Sequence, residues 1–296
     1  MRFLTATWEG AMTSTGWMSG SDGGREAVDL HTDRPHAARV YDFLLGGKTH
    51  YPADREAGER TLANVPTAAV TAREGRAFMH RSVRHLAAEA GVRQFLDIGT
   101  GIPTSPNLHE IAQGIAPESR VVYTDNDAIV LAHSRALHTG TPEGRTAYIQ
   151  ADATDPEGIL GHPLLRETLD LSRPTALILS LLLHWLPDDA DAYAIVRTLV
   201  GALAPGSYLM IAHVANDIFP TEQVGAVARD FKSSGGQMNP RNRAEVARFF
   251  EGMTLVEPGI VVPQRWRPDT PPVEVGAPGA GPGDGDVPVW AGLARI

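Results

Sequence analysis

Phe95-Leu96-Asp97-Ile98-Gly99-Thr100-Gly101-Ile102-Pro103 is the stretch of this sequence that decides the fold. Its apolar beginning, from Gln94 to Ile98, predicts a short strand. Gly99 and Gly101 then predict a tight turn that lets a ligand approach the backbone closely. The third glycine of the dinucleotide-binding fingerprint is missing, because Thr104 occupies its place. Taken alone, the motif also agrees with a plain turn between a strand and a helix.

Two further acidic residues follow the next two predicted strands. Asp125 ends the second strand, where a carboxylate can accept hydrogen bonds from both hydroxyls of a ribose. Asp152 follows the third strand, where its carboxylate is placed to accept from the amine of an adenine. Each acid also suits a turn or a helix cap, which are common positions for aspartate after a strand. Asp127 is assigned to that second role, as the N-cap of the following helix.

Strand-like and helical segments alternate from residue 93 onward. The predicted strands are Gln94–Ile98, Arg120–Thr124, Ala147–Gln150, Thr175–Leu179 and Tyr208–His213. The predicted helices among them are Leu108–Ile115, Ala128–Leu137 and Ala190–Leu203. Strands joined by helical crossovers predict a parallel sheet, and the handedness of such crossovers favours a doubly wound sheet with helices on both faces.

The C-terminal part predicts an antiparallel strand pair. Helical patterns cover Thr221–Phe231 and Arg243–Phe250, and strand-like patterns cover Leu255–Val262 and Val287–Ile296. The loop 268–288 contains eleven proline or glycine residues among twenty-one, so it cannot form a crossover helix. Two neighbouring strands without a crossover between them run antiparallel.

The N-terminal third is predicted to be helical after a flexible start. Residues 1–32 include a Ser- and Gly-rich run and are predicted to be flexible. Residues 33–91 are predicted to form a helical cap or lid, and residues 92–296 a Rossmann-like ligand-binding domain. Three helices are predicted in the cap. The first ends before Gly46, the second spans Asp54–Leu62 and the third spans Thr67–Ala90.

The composition is that of a globular protein and excludes several classes of function. Hydrophobic residues are 43% and charged residues 21% of the chain, which predicts a core of ordinary size. The net charge of −9 provides no basic footprint, so a nucleic-acid partner is not expected. The absence of cysteine excludes disulfides, thiolate-bound zinc, iron–sulfur clusters and a cysteine nucleophile. The sequence has no His-Glu-x-x-His motif, and no metal is predicted.

The apolar segments predict a cytoplasmic protein without a membrane partner. The longest strongly apolar stretch, Ala176–Leu183, is interrupted by Ser180 and is too short to cross a bilayer. The first thirty residues lack the apolar run of a signal peptide. The sequence carries no prediction of the oligomeric state.

The glycine turn with Asp97, together with Asp125 and Asp152, resembles the first three motifs of class I S-adenosylmethionine-dependent methyltransferases. In that family the acid before the turn orders it and lies near the methionine amino group, which distinguishes the pattern from ordinary NAD sites. The resemblance implies a Rossmann-like, doubly wound, seven-stranded α/β sheet with an antiparallel C-terminal strand pair and an N-terminal helical elaboration. It also implies S-adenosylmethionine as cofactor and S-adenosylhomocysteine as product. The residues implied as cofactor-binding are Asp97, Gly99, Thr100, Gly101, Asp125, Asn126, Asp152, Ala153, Ser180 and Lys48.

A narrower resemblance includes Phe95–Thr104 and Val122–Asp127 and extends to segments outside the glycine turn, among them Pro263–Trp266. Arg39-Val40-Tyr41-Asp42-Phe43-Leu44-Leu45-Gly46-Gly47-Lys48 and Asn239-Pro240-Arg241 resemble signatures of a little-characterised bacterial family identified as S-adenosyl methyltransferases, over about residues 33–296. His50-Tyr51 stands where that family has an asparagine followed by an aromatic residue, which predicts a different specificity if the loop touches the substrate. Gly46-Gly47 is interpreted either as the hinge of a lid over the cofactor or as a helix stop.

Candidate acceptor contacts follow the fourth strand and the first predicted helix. Methyl transfer requires a general base only where the accepting atom carries a proton at neutral pH. Leu183-His184-Trp185-Leu186-Pro187 resembles the corresponding stretch of small-molecule methyltransferases, which makes His184 a candidate base or orienting donor. The alternative is a histidine bonded to backbone at a strand end. Tyr51 is the second candidate catalytic residue. The candidate substrate-binding residues are Tyr41, Trp185, His213 and Arg241, of which the last two also suit structural roles.

Three hypotheses about function remain open from the sequence. The first is a methyltransferase that acts on a small molecule. The second is a binding module that keeps the nucleoside pocket without transferring a methyl group, as a sensor or partner. The third is an NAD-dependent oxidoreductase, against which Asp97 and the missing third glycine argue.

Overall fold

A computed structural model of the chain describes residues 31–137, 140–187, 190–219, 229, 238–269 and 281–296, with the backbone alone for 134–137. The segment 1–32, predicted to be flexible, lies outside these residues except for its last two positions. The helix predicted over Thr221–Phe231 lies outside them except for residue 229, and so does most of the proline- and glycine-rich loop.

The centre of the protein is a seven-stranded sheet with the strand order β3-β2-β1-β4-β5-β7-β6. Strands β1 to β5 are parallel to one another, and β7 is antiparallel to both β5 and β6. This confirms the predicted doubly wound sheet with antiparallel C-terminal strands. The strands are β1 (Gln94–Ile98), β2 (Arg120–Asp125), β3 (Arg145–Gln150), β4 (Ala176–Ser180), β5 (Tyr208–Val214), β6 (Thr254–Leu255) and β7 (Val289–Arg295).

The helices of the described residues form the cap and the crossovers. They are α1 (Ala37–Leu44), α2 (Pro52–Asn64), α3 (Ala68–Ala88), α4 (Leu108–Ile115), α5 (Ala128–Leu137), α6 (Pro156–Gly161), α7 (Pro163–Thr168), α8 (Ala192–Gly201) and α9 (Arg243–Ala247). The predicted N-cap of α5 is confirmed, because Asp127 Oδ1 accepts a hydrogen bond from the backbone N of Ile129 at 2.8 Å. Among the described residues, no helix has both the length and the apolar character needed to cross a membrane.

Two short helices between β3 and β4 have no counterpart in the sequence-based prediction. Each begins with a proline in its first turn, and the preceding residue accepts a hydrogen bond from inside that turn. Asp155 accepts from the backbone N of Gly158 at 2.9 Å, and His162 Nδ1 from the backbone N of Leu164 at 3.2 Å. Six residues are too few to show helical periodicity, so the proline was the available signal.

The strand predicted over Leu255–Val262 was too long. The ladder between β6 and β7 contains two residue pairs, after which Gly259 turns the chain with a φ of +84°. Pro258, which precedes it, has no N–H to donate to a ladder. The chain rejoins β7 through a single bridge between Val261 and Ala291. The helix predicted over Arg243–Phe250 is α-helical as far as Ala247 and continues as a 3₁₀ turn.

Helices cover both faces of the sheet and bury it. Phe78, Val83 and Leu86 of α3 are fully buried in a cluster with residues of β1, β2 and β7. On the opposite face, Val196 and Leu199 of α8 pack in a second cluster. The long helix α3 therefore belongs to the main core, although it lies in the N-terminal part of the chain.

Buried Arg39 joins α1 to α2 and to the start of α5. Its Nε lies 3.4 Å from Asp54 Oδ1 and 3.7 Å from Asp127 Oδ2. Asp54 is fully buried and also accepts from the backbone N of His36 at 2.9 Å and of Tyr51 at 2.8 Å. Because Asp127 follows β2 closely, this network docks the first two helices beside the carboxyl end of the sheet.

Candidate active site

A cavity of about 560 Å³ lies at the carboxyl ends of β1 to β5, underneath α1, α2 and α3. This end of the sheet includes the boundary between β1 and β4, where the strand order changes direction. Ligands of open α/β sheets bind at such a switch point, since the crossover helices diverge there.

The glycine turn forms one part of the cavity wall. Gly99 and Gly101 have φ values of +71° and +69°, which side chains other than glycine rarely adopt. The backbone N atoms of Gly99 and Thr100 donate to the carbonyl oxygen of Thr124 at 2.8 and 3.1 Å, so β2 holds the turn. A Cβ on Gly99 would stand 2.6 Å from Leu182 Cδ1, whereas a Cβ on Gly101 would meet nothing within 4 Å.

Asp125 links the glycine turn to the end of β2. Its Oδ2 accepts from the backbone N of Gly101 at 2.9 Å, and its Oδ1 accepts from the backbone N of Asp127 at 3.0 Å. Burial raises the pKa of this carboxyl, although the two backbone hydrogen bonds act in the opposite direction. Each oxygen has a second lone pair, so a ligand hydroxyl can still donate to it.

Asp97 lines the cavity and lies within electrostatic reach of Arg76 of α3. Burial raises the pKa of the Asp97 carboxyl to about 7, while a hydrogen bond from Thr100 and the positive charge of Arg76 oppose that rise. Arg76 also lines the cavity, and its Nη2 donates to the carbonyl oxygens of Thr104 and Pro106. Arg76 was not predicted from the sequence, because no local motif marks an arginine in the middle of a helix.

The other residues predicted to bind cofactor stand at neighbouring strand ends. Asn126, Asp152, Ala153 and Ser180 line the cavity. The exposed Asp152 also has a turn role, because its Oδ1 accepts from both the backbone N and the Oγ1 of Thr154 at 2.8 Å. The three acids that the sequence analysis singled out thus surround one cavity.

His184, Trp185 and Tyr41 line the same cavity. The Tyr41 hydroxyl donates to the carbonyl oxygen of Ala72 at 2.9 Å, and burial raises its pKa to about 12. His184 is 1% exposed, and its Nδ1 has no hydrogen-bond partner among the described residues. Burial lowers the pKa of His184 well below its usual value, and nearby His213 and Arg241 add to this effect.

Four predicted site residues do not line the cavity. Lys48 is exposed, and Tyr51 packs under the guanidinium of Arg39, whose Cζ lies 5.5 Å from the ring centroid. His213 is buried behind His184, with its ring centroid 5.4 Å away. Their positions therefore do not support the predicted roles, which were cofactor binding for Lys48, catalysis for Tyr51 and substrate binding for His213 and Arg241.

His213 and Arg241 form a structural pair. His213 Nδ1 donates to the carbonyl oxygen of Val214 at 2.9 Å, so Nε2 is the acceptor for Arg241 Nη1 at 2.8 Å. Burial lowers the pKa of His213 to about 3, and the ring is neutral at pH 7. Arg241 also stacks on Tyr193 and Phe249, with its Cζ 5.4 and 5.3 Å from their ring centroids.

Leu181 is a strained residue that the sequence analysis did not identify. It directly follows β4, lines the cavity and has a φ of +54°, which is unfavourable for a branched side chain. Its backbone N donates to the carbonyl oxygen of Ala212 at 2.8 Å. A Cβ on Gly75 of α3 would stand 2.9 Å from Leu181 Cδ1, so the helix presses closely against this side chain.

Within the described part of the chain, no three His, Asp or Glu side chains group closely enough to hold a metal ion. The expectation that the protein uses no metal stays a prediction.

Comparison with known proteins identifies close relatives. A family model described as "S-adenosyl methyltransferase" matches residues 24–296. A DUF574 family protein from Streptomyces avermitilis is 50% identical, with a TM-score of 0.85, over 90% of this chain and 99% of that chain. A putative methyltransferase from Thermobifida fusca is 41% identical, with a TM-score of 0.82, over 90% of this chain and 96% of that chain. No curated protein matches the chain.

Proposed function

We propose that this protein, whose chain belongs to the S-adenosyl methyltransferase family, methylates a small molecule. The enzyme is an S-adenosylmethionine-dependent methyltransferase, with S-adenosylhomocysteine as its product. When bound, the cofactor supplies a methyl group that is attached to a positively charged sulfur. The leaving group, S-adenosylhomocysteine, contains this sulfur as a neutral thioether. The observation that carries the proposal is the convergence of Asp97, Asp125 and Asp152 with the glycine turn around one cavity.

The residues of the cavity wall fit the parts of the cofactor. Asp125 is proposed to accept from the ribose hydroxyls while its backbone hydrogen bonds hold the carboxylate in place. Asp152, with Asn126 and Ala153, is proposed to contact the adenine. Gly99, Thr100, Gly101 and Ser180 supply the remaining wall, where the turn exposes backbone to the ligand.

Asp97 and Arg76 are proposed to bind the two charges of the methionine end. The ammonium group of the cofactor would pair with the Asp97 carboxylate, and its carboxylate would pair with the Arg76 guanidinium. Both hydrogen bonds that Arg76 makes within the described residues use Nη2. The donors of Nε and Nη1 therefore remain for a ligand.

The cavity supports a small molecule as the acceptor. Its volume of about 560 Å³ lies in the range of small-molecule sites, and helices α1 to α3 cover it. The net charge of −9 argues against a nucleic acid, whose phosphates require clustered cations. We retain a cytoplasmic location as a proposal. Within the predicted cap of residues 33–91, we propose that α1 and α2 form the cap, because α3 packs in the main core.

His184 is proposed to orient the acceptor rather than to remove a proton from it. His184 is one of the residues that line the cavity, and its low pKa makes it a weak base near pH 7. A neutral imidazole still offers one donor and one acceptor to a bound molecule. This supports an acceptor atom that does not need deprotonation by a strong base.

Calorimetry with S-adenosylmethionine and S-adenosylhomocysteine tests the proposed site. Asp125→Ala should weaken S-adenosylhomocysteine binding by about 1–3 kcal/mol, because ribose hydroxyls lose their acceptor in a buried site. Asp125→Asn, which keeps one acceptor oxygen, is the matched control and should lose less. An unchanged dissociation constant in Asp125→Ala would remove Asp125 as the ribose ligand. Binding of both compounds without turnover across a broad metabolite panel would favour the binding-module hypothesis.

A further inference from the structure

The strand order divides the cavity into two parts with different chemistry. The part at the ends of β1, β2 and β3 carries the glycine turn and the acids assigned above to the cofactor. The part that follows β4 and β5 is closed from above by α1, α2 and α3. We call this second part the apolar half; its described lining residues are Val40, Tyr41, Leu44, Thr61, Val65, Ala68, Thr71, Ala72, Met79, Leu181, Leu182, His184, Trp185, Leu186, Pro187, Val214, Ala215, Phe219, Met238 and Pro288.

A small cluster of hydrophobic side chains forms one wall of the apolar half. Val65 and Ala68 are buried at the junction of α2 and α3, and Leu44, Phe219 and Met238 pack on them while partly exposed. All five line the cavity, and the cluster is separate from the two large cores. Apolar surface that faces a cavity instead of a core is available to a ligand.

The charge of the apolar half favours an uncharged ligand. None of its described lining residues is Asp, Glu, Lys or Arg. Its histidine, His184, is almost fully buried and stands in front of the neutral His213. Arg76 and Asp97 lie at the border with the cofactor part. They are already assigned to the carboxylate and the ammonium group of the cofactor. A charged acceptor would lose its hydration here without gaining a counter-charge from these residues.

The wall between the two parts is rigid. Leu182 packs against the glycine turn at Gly99, while the strained Leu181 packs against α3 at Gly75. A bulky residue stays in the left-handed region only where its surroundings determine its conformation. This wall is therefore preformed, which lowers the entropic cost of binding against it.

We propose that the apolar half binds the methyl acceptor, and that the acceptor is an uncharged, largely apolar small molecule. The inference rests on the proposed function, because the methyl group must come from a cofactor bound at the glycine turn. It adds a chemical class to an acceptor that the family description does not specify.

Three matched probes test this class without knowledge of the natural acceptor. The protein is first saturated with S-adenosylhomocysteine, whose binding is measured by calorimetry. Titration then follows with 2-naphthol, 2-naphthylmethylammonium and 2-naphthoate, which share one ring system and are neutral, cationic and anionic at pH 7. We expect 2-naphthol to bind at least tenfold more tightly than either charged probe.

Ala68→Asp places a carboxylate in the apolar wall. Ala68 is the first residue of α3, where the helix dipole tolerates an acid. The substitution should lower the preference for 2-naphthol over the ammonium probe at least tenfold. Phe219→Ala is the second variant and should weaken 2-naphthol several-fold by removing ring contacts. Leu164→Asp, an exposed leucine on α7 outside the cavity lining, is the control and should bind all three probes as the parent does.

The outcomes separate this inference from the proposed function. Failure of S-adenosylhomocysteine to bind the parent protein would overturn the proposed function itself. Binding of S-adenosylhomocysteine with no preference for 2-naphthol would overturn the inference alone. Equal 2-naphthol affinity in the parent and in both cavity variants would place the probe elsewhere and would also overturn it. A preference that Ala68→Asp reduces and Leu164→Asp preserves supports the assignment.

Discussion

Asp97 titrates near neutral pH in the ligand-free protein, because burial raises its pKa to about 7. Pairing with an ammonium group requires the ionised carboxylate, so a protonated Asp97 must release its proton when S-adenosylhomocysteine binds. We expect the affinity for S-adenosylhomocysteine to fall about tenfold between pH 8 and pH 6. Calorimetry across this range measures the effect directly.

The control for Asp97 is 5′-methylthioadenosine, which lacks the amino-acid end and should show no such pH dependence. Asp97→Asn should remove the pH dependence of S-adenosylhomocysteine binding. The substitution should also reduce the pH dependence of the stability of the ligand-free protein. In the parent, the free energy of unfolding falls as pH rises from about 4 through about 7, because the unfolded chain loses this proton at lower pH. Equal pH profiles for the two ligands would contradict the pairing.

Arg76 gives a second prediction at the level of a single residue. Arg76→Ala should weaken S-adenosylhomocysteine at least tenfold, because a charge-assisted hydrogen bond to the ligand carboxylate is lost. The affinity for 5′-methylthioadenosine should stay within about twofold. An analogue of S-adenosylhomocysteine without its carboxylate separates the two charges, because it should bind the parent and the variant alike. A parallel loss for all three compounds would indicate that Arg76 acts only through the structure.

The sequence made Asp97, Asp125 and the glycines predictable because their chemistry lies in short local patterns at strand ends. Arg76 and Leu181 were not predictable in this way. Arg76 meets Asp97 only after α3 packs across the sheet, and the strain of Leu181 arises from contacts with β5 and α3. For His213 and Arg241 the sequence left a substrate-binding and a structural role open, and the hydrogen bond between them in the fold favours the structural role.

At the level of elements, Arg39 connects three helices through buried charges. Arg39→Ala would leave Asp54, which is fully buried, with one ionic partner fewer. We expect the free energy of unfolding to fall by about 3 kcal/mol, as for other broken buried ion pairs. Denaturant unfolding measures the change, and limited proteolysis should show earlier cleavage in α1 and α2.

The matched control is Arg145→Ala, which removes an exposed pair with Glu167 at 3.2 Å. Exposed pairs contribute little, so the free energy of unfolding should change by less than about 1 kcal/mol. A smaller loss for Arg39→Ala than for Arg145→Ala would mean that the buried network does not dock the cap.

The elements differ in how well the sequence predicted them. Helices α4 and α5 and strand β1 match the predicted bounds, because each combines a clear apolar pattern with a definite end signal. Helices α6 and α7 are too short for periodicity, and β6 stops early because Pro258 and Gly259 interrupt its ladder. The C-terminal antiparallel arrangement was predictable from the loop composition alone, since proline and glycine exclude a crossover helix.

At the level of the whole molecule, the predicted boundary at residue 91 separates α3 from the core that it covers. A chain that starts at residue 66 lacks α1 and α2 and should still unfold cooperatively, because Phe78, Val83 and Leu86 keep their places. A chain that starts at residue 92 should fail to fold, since that face of the sheet would lose its cover. Circular dichroism and thermal melts of both truncations check this expectation. Cooperative unfolding of the shorter chain would restore the boundary at residue 91.

Strand β7 comes last in the sequence, yet it lies between β5 and β6 and pairs with β5 from Tyr208 to Val214. During translation, the edge of β5 that faces away from β4 therefore has no partner strand until β7 is made. A nascent chain released before Val289 presents that open edge to other copies and is exposed to aggregation. The addition of β7 closes this edge and also brings Pro288 into the cavity lining, so protection from misassembly and completion of the described lining coincide.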